Sequence, residues 1–393
     1  MSRTSSIGLA GLVVLLCIDL TACSAHSGGS KLLLQEVGAG EGRLDIIAWD
    51  GDIERGANDS RFDWVTEFEK QTGCVVNVKS ASSSDEMVML MNQGGYDLVT
   101  AAGDASSRLI KSGKVQPINT ALLPSWDSLD SRIINSPWHT IAGIHYGIPF
   151  IWNSSRLMYN ADVFSTPPRE WDVLFEERIL PDGLSNKNRV QAYEGSMAIA
   201  DAALYLMKTR PELGIKDPYE LNQIQFGEAI RVLRGQRNLV NDYWPDPAGQ
   251  IASFARDENA ISISWPYQIA RLQRLGLPVK SVIPGGGVTG RADTFMLHSD
   301  AAHPNCAYMW MEHVLNPKVQ GDAAAWTGSN PSVVDACKSS DLLGEKGCDL
   351  NGYNDFNNVY FWKTPVEDCG DGNRNCVPYR DWVTAYIAII GKR

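Results

Sequence analysis

The sequence predicts a two-lobed α/β protein with mixed sheets, and three observations support this fold class. The chain has 393 residues, more than one hydrophobic core usually holds. Short apolar runs rich in β-branched residues alternate with segments of helical periodicity. Hydrophobic residues make up 44% and charged residues 21%, which is typical of a globular protein.

The first predicted lobe begins near Leu44 with a βαβ pattern. Its predicted elements are a strand at Leu44–Trp49, a helix at Ser60–Thr72 that Gly73 ends, a strand at Cys74–Val78, a helix at Glu86–Asn92 and a strand at Tyr96–Thr100. Ligands of such sheets bind beyond the carboxyl ends of the strands. We therefore expect Trp49–Asp52 and Thr100–Asp104 to face a ligand.

The rest of the chain predicts a second α/β lobe and a return to the first. The predicted strands are His145–Trp152, Arg156–Tyr159, Ala260–Ser264 and Thr294–Leu297, and the predicted helices are Tyr193–Lys208, Pro218–Arg234, Gly249–Arg256, Asn305–Leu315 and Val377–Ile390. We expect the first lobe to comprise residues 44–157 and 293–335. The second lobe then comprises residues 158–292 and 336–393.

The chain is acidic, with a formal net charge of -11 and a pI of about 5.1. Its summed field repels phosphate backbones and favours cations. Nucleic acid is therefore excluded as the expected partner, and a cationic ligand is favoured.

The N-terminus predicts export. Arg3 precedes an apolar run, Ile7–Ile18, that is too short to span a bilayer, so residues 1–22 are predicted to be a signal peptide. Leu20–Cys23 resembles the bacterial lipobox, which predicts lipidation of Cys23 and an anchor in the membrane. Residues 23–43 would form a flexible tether, rich in glycine and serine. A plain cleaved signal with a chance cysteine is the alternative.

Six cysteines remain after Cys17 and Cys23, an even number that suits an exported protein with disulfide bonds. Six cysteines allow 15 connectivities. Two short local bridges are plausible, Cys369 with Cys376 and Cys337 with Cys348, which leaves Cys74 with Cys306 as the remaining pairing. The spacing does not favour zinc.

Five short motifs, in this order, resemble the periplasmic spermidine/putrescine-binding protein family of ABC importers. They are Trp49–Asp52, Gly95–Thr100, Tyr146–Trp152, Ile263–Trp265 and Gly286–Asp293. The resemblance covers most of residues 44–392. It implies a type II periplasmic-binding-protein fold with hinge-linked lobes, a monomer that meets the importer's membrane subunits, and no chemistry on the ligand and no cofactor.

The resemblance also implies a site for a polyamine or a related amino compound. Such a ligand needs carboxylates for its ammonium groups and aromatic faces for its methylenes. The expected ligand-binding residues are Trp49, Asp50, Asp52, Trp152, Trp265, Arg291, Asp293 and Trp362. No residue is expected to be catalytic or to bind a metal.

Arg291 departs from the family pattern, which has an aromatic residue two positions before the acidic one. A guanidinium in the cleft repels an ammonium group and attracts a carboxylate. The hypothesis that follows is a ligand with an amine together with an acidic or hydroxyl-rich group. An Arg291 side chain turned outward to the surface is the alternative.

Two other function classes stay open on the sequence. Paired carboxylates and tryptophans also suit a carbohydrate-active enzyme or a sugar-binding protein. The chain has neither the Gly-x-Ser-x-Gly elbow of hydrolases nor a phosphate-binding loop. A metal carrier is disfavoured because no tyrosine or histidine set stands at the strand ends.

Overall fold

The computed structural model describes residues 1–2, 33–256, 259–370 and 374–391. Within them the strands, in chain order, are β1 (Arg43–Trp49), β2 (Val75–Ala81), β3 (Leu98–Ala101), β4 (Thr140–Ile141), β5 (Ile144–His145), β6 (Gly147–Ser154), β7 (Arg156–Asn160), β8 (Val190–Tyr193), β9 (Val240–Trp244), β10 (Ile261–Ser264), β11 (Val279–Val282), β12 (Val288–Leu297), β13 (Asn330–Pro331) and β14 (Val359–Phe361).

The helices flank these strands. They are α1 (Thr66–Thr72), α2 (Ser84–Gln93), α3 (Gly103–Lys111), α4 (Asp172–Phe175), α5 (Ala198–Thr209), α6 (Gln223–Gln236), α7 (Pro247–Arg256), α8 (Pro266–Arg274), α9 (Pro304–Val314), α10 (Pro317–Thr327), α11 (Ala336–Ser339), α12 (Gly347–Asn351) and α13 (Tyr379–Ile390). Short 3-10 turns cover Thr120–Leu122, Trp126–Ser128, Pro211–Leu213 and Tyr353–Asn358.

The first sheet has seven strands in the order β13-β6-β12-β3-β1-β2, with β14 beside the start of β12. Strand β1 pairs parallel with β2 and β3, whereas β12 runs antiparallel to β3 and β6. Apolar side chains fill both faces of β1, because helices cover both sides of the sheet. The sheet is therefore mixed, as the sequence predicts.

The second sheet has five strands in the order β11-β7-β10-β8-β9. Strands β8, β9 and β10 pair parallel, while β7 runs antiparallel to β10 and β11. A β-hairpin, β4-β5, stands apart from both sheets. Two mixed sheets flanked by helices confirm the predicted α/β fold class.

The chain passes between the two sheets through short connections. Strand β6 of the first sheet leads through Ser155 into β7 of the second, and β11 of the second leads back into β12 of the first. These two passages touch, because the Ser155 backbone N–H donates to the carbonyl of Thr289 at 2.8 Å. Residues 359–361 also lie in the first sheet, beside β12.

A carboxyl group is buried beside these passages. The Thr289 hydroxyl donates to Asp201 of α5 at 2.5 Å, and the Ser155 hydroxyl lies 3.2 Å from the Thr289 hydroxyl. Burial raises the pKa of Asp201 to about 7. The folded state therefore holds a proton that the unfolded chain releases at a much lower pH.

We expect Asp201 to make the protein less stable as the pH rises. Between pH 5 and pH 7 the folded state binds the extra proton, so the free energy of unfolding should fall by about 2 kcal/mol relative to Asp201→Asn. Asparagine keeps an oxygen that accepts from Thr289. Urea unfolding of both proteins at pH 5, 6, 7 and 8 measures the difference, and parallel pH profiles would contradict the assignment.

Several helices begin later than the sequence predicts. Helix α1 begins at Thr66 rather than Ser60, because the Asp63 carboxylate accepts from the backbone N–H groups of Val65 and Thr66 and fixes the start there. Gly73, with φ of 71°, ends α1 as expected. Asn222 starts α6 through a capping box with Gln225. These caps lie inside the predicted ranges.

Residues 193–197 are the clearest error in the predicted elements. The sequence predicts that a helix begins at Tyr193, but Tyr193 ends strand β8 and α5 begins at Ala198. Strand β8 is buried in the second sheet, so its residues do not alternate between buried and exposed positions. Without that alternation its sequence pattern does not distinguish it from a helix.

The folded body begins earlier than predicted, before Leu44. Glu41 accepts hydrogen bonds from the backbone N–H groups of Asn305 and Cys306, both at 2.9 Å, and Gly38 donates to Asn305 at 2.7 Å. Leu34 packs against the core of the first sheet. The described end of the predicted tether is therefore attached to α9, because polar and apolar contacts both hold it.

The three disulfide bonds join Cys74 to Cys306, Cys337 to Cys348 and Cys369 to Cys376. This is the connectivity that the sequence left as one of several. Residues 3–22 of the predicted signal peptide, and Cys23, lie outside the described residues. No helix among the described residues is long and apolar enough to span a bilayer.

Candidate functional site

The turn after β1 places one acidic group inside the protein and one outside. The Asp52 backbone N–H donates to the Trp49 carbonyl at 3.2 Å, which closes the turn. Asp52 is 1% exposed and Trp49 7%, whereas Asp50 is exposed. Asp50 therefore lies on the rim of the candidate site, not in its interior.

Gly51 lets this turn approach the second sheet closely. Its φ of 90° lies in the region that glycine favours, and a Cβ atom there would stand 3.0 Å from the ring of Tyr267 in α8. The turn that carries Asp52 is therefore packed closely against α8.

Strand β12 supplies the next two groups, Arg291 and Asp293, which lie two residues apart and hence on one face of the strand. The Arg291 Nε atom is 3.5 Å from Asp293 Oδ2. The Arg291 guanidinium carbon lies 4.4 Å from the ring centre of Trp49 and 5.6 Å from that of Trp265. Arg291 therefore points inward, between indoles from both sheets, and the outward alternative is wrong.

The two carboxylates of this site are poorly supplied with hydrogen-bond donors among the described residues. Thr100 lies near Asp52 and Trp49 near Asp293, but none of the four carboxylate oxygens accepts a hydrogen bond of good geometry from a described residue, although both side chains are buried. Burial, together with the charge of Asp293, holds the pKa of Asp52 well above its usual value. Burial raises the pKa of Asp293 to about 6. These oxygens are free to accept from a ligand.

An aromatic wall built from both sheets adjoins them. Trp265 follows β10 and begins α8, and its ring lies 5.3 Å from that of Trp362 at 75°. Tyr193, at the end of β8, lies 6.1 Å from Trp362. Trp49, Trp265, Trp362, Arg291 and Asp293 thus form one connected group.

Trp152 does not join this group. It is 1% exposed and packs against Phe356 at 5.1 Å and Phe361 at 5.8 Å, in a separate cluster with Trp138. The register of β6 sets Trp152 opposite Ala292, the residue between Arg291 and Asp293. Trp152 therefore points to the other face of the sheet and is a core residue, so the expectation that it binds ligand is not supported.

Two residues near the site were missed as individual candidates, Tyr193 and Asp104. Burial, followed by the charge of Asp104, raises the pKa of the Tyr193 hydroxyl. Asp104 is buried, accepts from the Ser84 hydroxyl at 2.8 Å and lies 3.7 Å from the Arg108 guanidinium. Its position in the first turn of α3, directly after β3 and within the predicted segment Thr100–Asp104, was the available signal.

Asp45, Asp97 and His303 form the one group among the described residues whose spacing could suit a metal ion. Arg43 already donates to both Asp45 oxygens, at 2.6 and 2.9 Å. Asp97 accepts from the backbone N–H of Asp45 and pairs with the His303 ring at 2.8 Å. Because these oxygens have partners, the group holds the start of β1 in place.

Comparisons with known proteins agree with this architecture. Residues 63–342 match the family model described as bacterial extracellular solute-binding protein. The chain is 23% identical over 273 residues to the putrescine-binding periplasmic protein of Escherichia coli strain K12. The alignment covers 65% of this chain and 70% of that protein.

Two solved structures share the fold. A spermidine/putrescine ABC transporter substrate-binding protein from Streptococcus pneumoniae superposes with a TM-score of 0.68 at 14% identity, over 89% of this chain and 99% of the other. A structure described as the Atu4243-GABA receptor superposes with a TM-score of 0.63 at 16% identity. The superposition covers 89% of this chain and 98% of the other. The family match spans well over half of the sequence, so this chain belongs to the bacterial extracellular solute-binding protein family.

Proposed function

We propose that this protein captures a small amine-bearing solute between its two lobes and delivers it to the membrane subunits of an ABC importer. The observation that carries the proposal is the pair of buried carboxylates, Asp52 and Asp293, whose oxygens have no donor among the described residues. An ammonium group has three N–H donors for such acceptors. The indoles of Trp49 and Trp265, which also contact the Arg291 guanidinium, add apolar surface beside these oxygens.

Hinge closure is the proposed mechanism. Trp49, Asp52 and Asp293 come from the first sheet and Trp265 from the second, so a ligand that touches both sides stabilises the closed form. We retain the predicted lobes, residues 44–157 with 293–335 and residues 158–292 with 336–393, except at three places. Residues 288–292 of β12 and residues 359–361 of β14 belong with the first sheet, and residues 156–157 of β7 belong with the second. The closed form would then present its joined surface to the importer.

We further propose that the protein acts without chemistry on its ligand, as a monomer on the outer face of the membrane, anchored through Cys23. The family to which it belongs binds solutes, which favours binding over the carbohydrate-active alternative. The anchor rests on the lipobox-like Leu20–Cys23. Labelling with a fatty-acid analogue, with Cys23→Ala as control, tests it.

Native mass spectrometry of the freshly purified protein tests the binding proposal. We expect a bound small molecule that carries an amine and is displaced on denaturation. Isothermal titration of that compound should show affinity at least tenfold weaker for Asp293→Asn, while the exposed Asp162→Asn serves as the matched control and should bind as the native protein does. A bound compound without an amine would overturn the proposal.

A further inference from the structure

A guanidinium already lies in the place that a ligand's cation would use. Arg291 sits over the Trp49 ring, faces Trp265, and has a side chain only 12% exposed. It extends from the middle of β12, which is paired on both sides. A diamine in this site would bring an ammonium group close to a positive charge that the sheet holds in place.

Arg291 donates no hydrogen bond to any described residue. Its buried Nε atom forms an ion pair with Asp293 at 3.5 Å, but it has no hydrogen-bond acceptor within the described part of the chain. Among the described residues, no acceptor takes a hydrogen bond from its two terminal nitrogens. A guanidinium fork with free N–H groups binds a carboxylate through two parallel hydrogen bonds.

The site therefore offers two complementary halves side by side. One half is the donor fork of Arg291, and the other is the set of four acceptor oxygens of Asp52 and Asp293. The indole of Trp49 covers the fork, so apolar surface adjoins both halves. A ligand with an anion at one end and an ammonium group at the other satisfies both, whereas a diamine or a simple acid satisfies one.

We infer that the ligand is an aminocarboxylate whose carboxylate binds Arg291 and whose ammonium group binds Asp52 and Asp293. This inference rests on the proposed function and narrows its ligand class. It makes Arg291 the residue that selects against polyamines. The separation between the two charges of the ligand is set by the side chains of β12 and of the turn after β1.

Calorimetry with matched compounds tests the inference. The probes are straight-chain ω-amino acids of three to six carbons, each compared with the diamine and the simple acid of the same length. We expect at least one amino acid to bind tenfold or more tightly than its diamine and its simple acid. Equal or tighter binding of the diamines by the native protein would overturn the inference and leave the proposed function intact.

Two variants separate the effect of the positive charge of Arg291 from the effect of its paired N–H donors. Arg291→Gln should weaken amino-acid binding at least thirtyfold and tighten diamine binding. Arg291→Lys keeps the positive charge, so it should weaken amino-acid binding about tenfold and still reject diamines. Circular dichroism and thermal unfolding check that both variants fold, and an unchanged preference in Arg291→Gln would overturn the assignment.

If none of these compounds binds, the compound found by native mass spectrometry decides. A compound with both an amine and a carboxylate supports the inference, and one with an amine but no acidic group overturns it. A compound with no amine overturns the proposed function as well.

Discussion

Replacing Asp52 by asparagine should raise the stability of the unliganded protein and weaken ligand binding at the same time. Burial and the nearby charge of Asp293 hold the pKa of the Asp52 carboxylate well above its usual value. At pH 8 the folded state therefore gains stability from losing this group. The ligand loses a charge-assisted acceptor worth about 1.5 to 3 kcal/mol, or about 10- to 150-fold in affinity.

Asp104→Asn is the matched control for this prediction. Asp104 is just as buried, but it accepts from Ser84 and lies beside Arg108. Burial raises the pKa of Asp104 as well, but its replacement also removes the ion pair with Arg108, so we expect a smaller gain in stability than for Asp52→Asn. Thermal unfolding at pH 8 and titration with the identified ligand measure both quantities. An Asp52→Asn protein that is less stable than the native protein would contradict our account of the site.

Removing the disulfide between Cys74 and Cys306 should cost up to about 5 kcal/mol of the free energy of unfolding. The bridge joins residues 232 positions apart in sequence and ties the start of β2 to α9. Closing so long a loop removes much of the entropy of the unfolded chain. Unfolding by urea of the double variant Cys74→Ala with Cys306→Ala measures the loss.

The bridge between Cys337 and Cys348 provides a comparison within the same chain. It closes a separation of only 11 residues, so its removal should cost about 3 kcal/mol, which is less than the long bridge by about 2 to 3 kcal/mol. Equal losses from the two double variants would show that loop length does not set the contribution of the long bridge.

The sequence predicted the parts of the fold whose signals are local. Strand β1, the last four residues of β12 and the glycine that ends α1 follow from apolar runs and from a position that needs positive φ. The first six residues of β12, which include Arg291 and Asp293, were not predicted as a strand. Helix starts were less accurate, because Asp63 and Asn222 determine them through side-chain hydrogen bonds that a periodicity does not reveal.

The candidate site was predictable where position along a strand was enough. Trp49 is the last residue of β1 and Trp265 directly follows β10, and both rings lie close to the Arg291 guanidinium. Trp152 also lies near the end of a strand, but its face depends on the register between β6 and β12, which is a long-range property. Whether Arg291 turned inward likewise depended on packing against two distant indoles.

Gly51 shows how narrow the space between the turn after β1 and α8 is. Any other residue at this position would have a strained backbone. Its Cβ atom would also lie 3.0 Å from the ring of Tyr267. A side-chain carbon at this position would keep the turn away from α8 unless the backbone or the Tyr267 ring shifted. The close contact between the turn after β1 and α8 therefore depends on the absence of a side chain at Gly51.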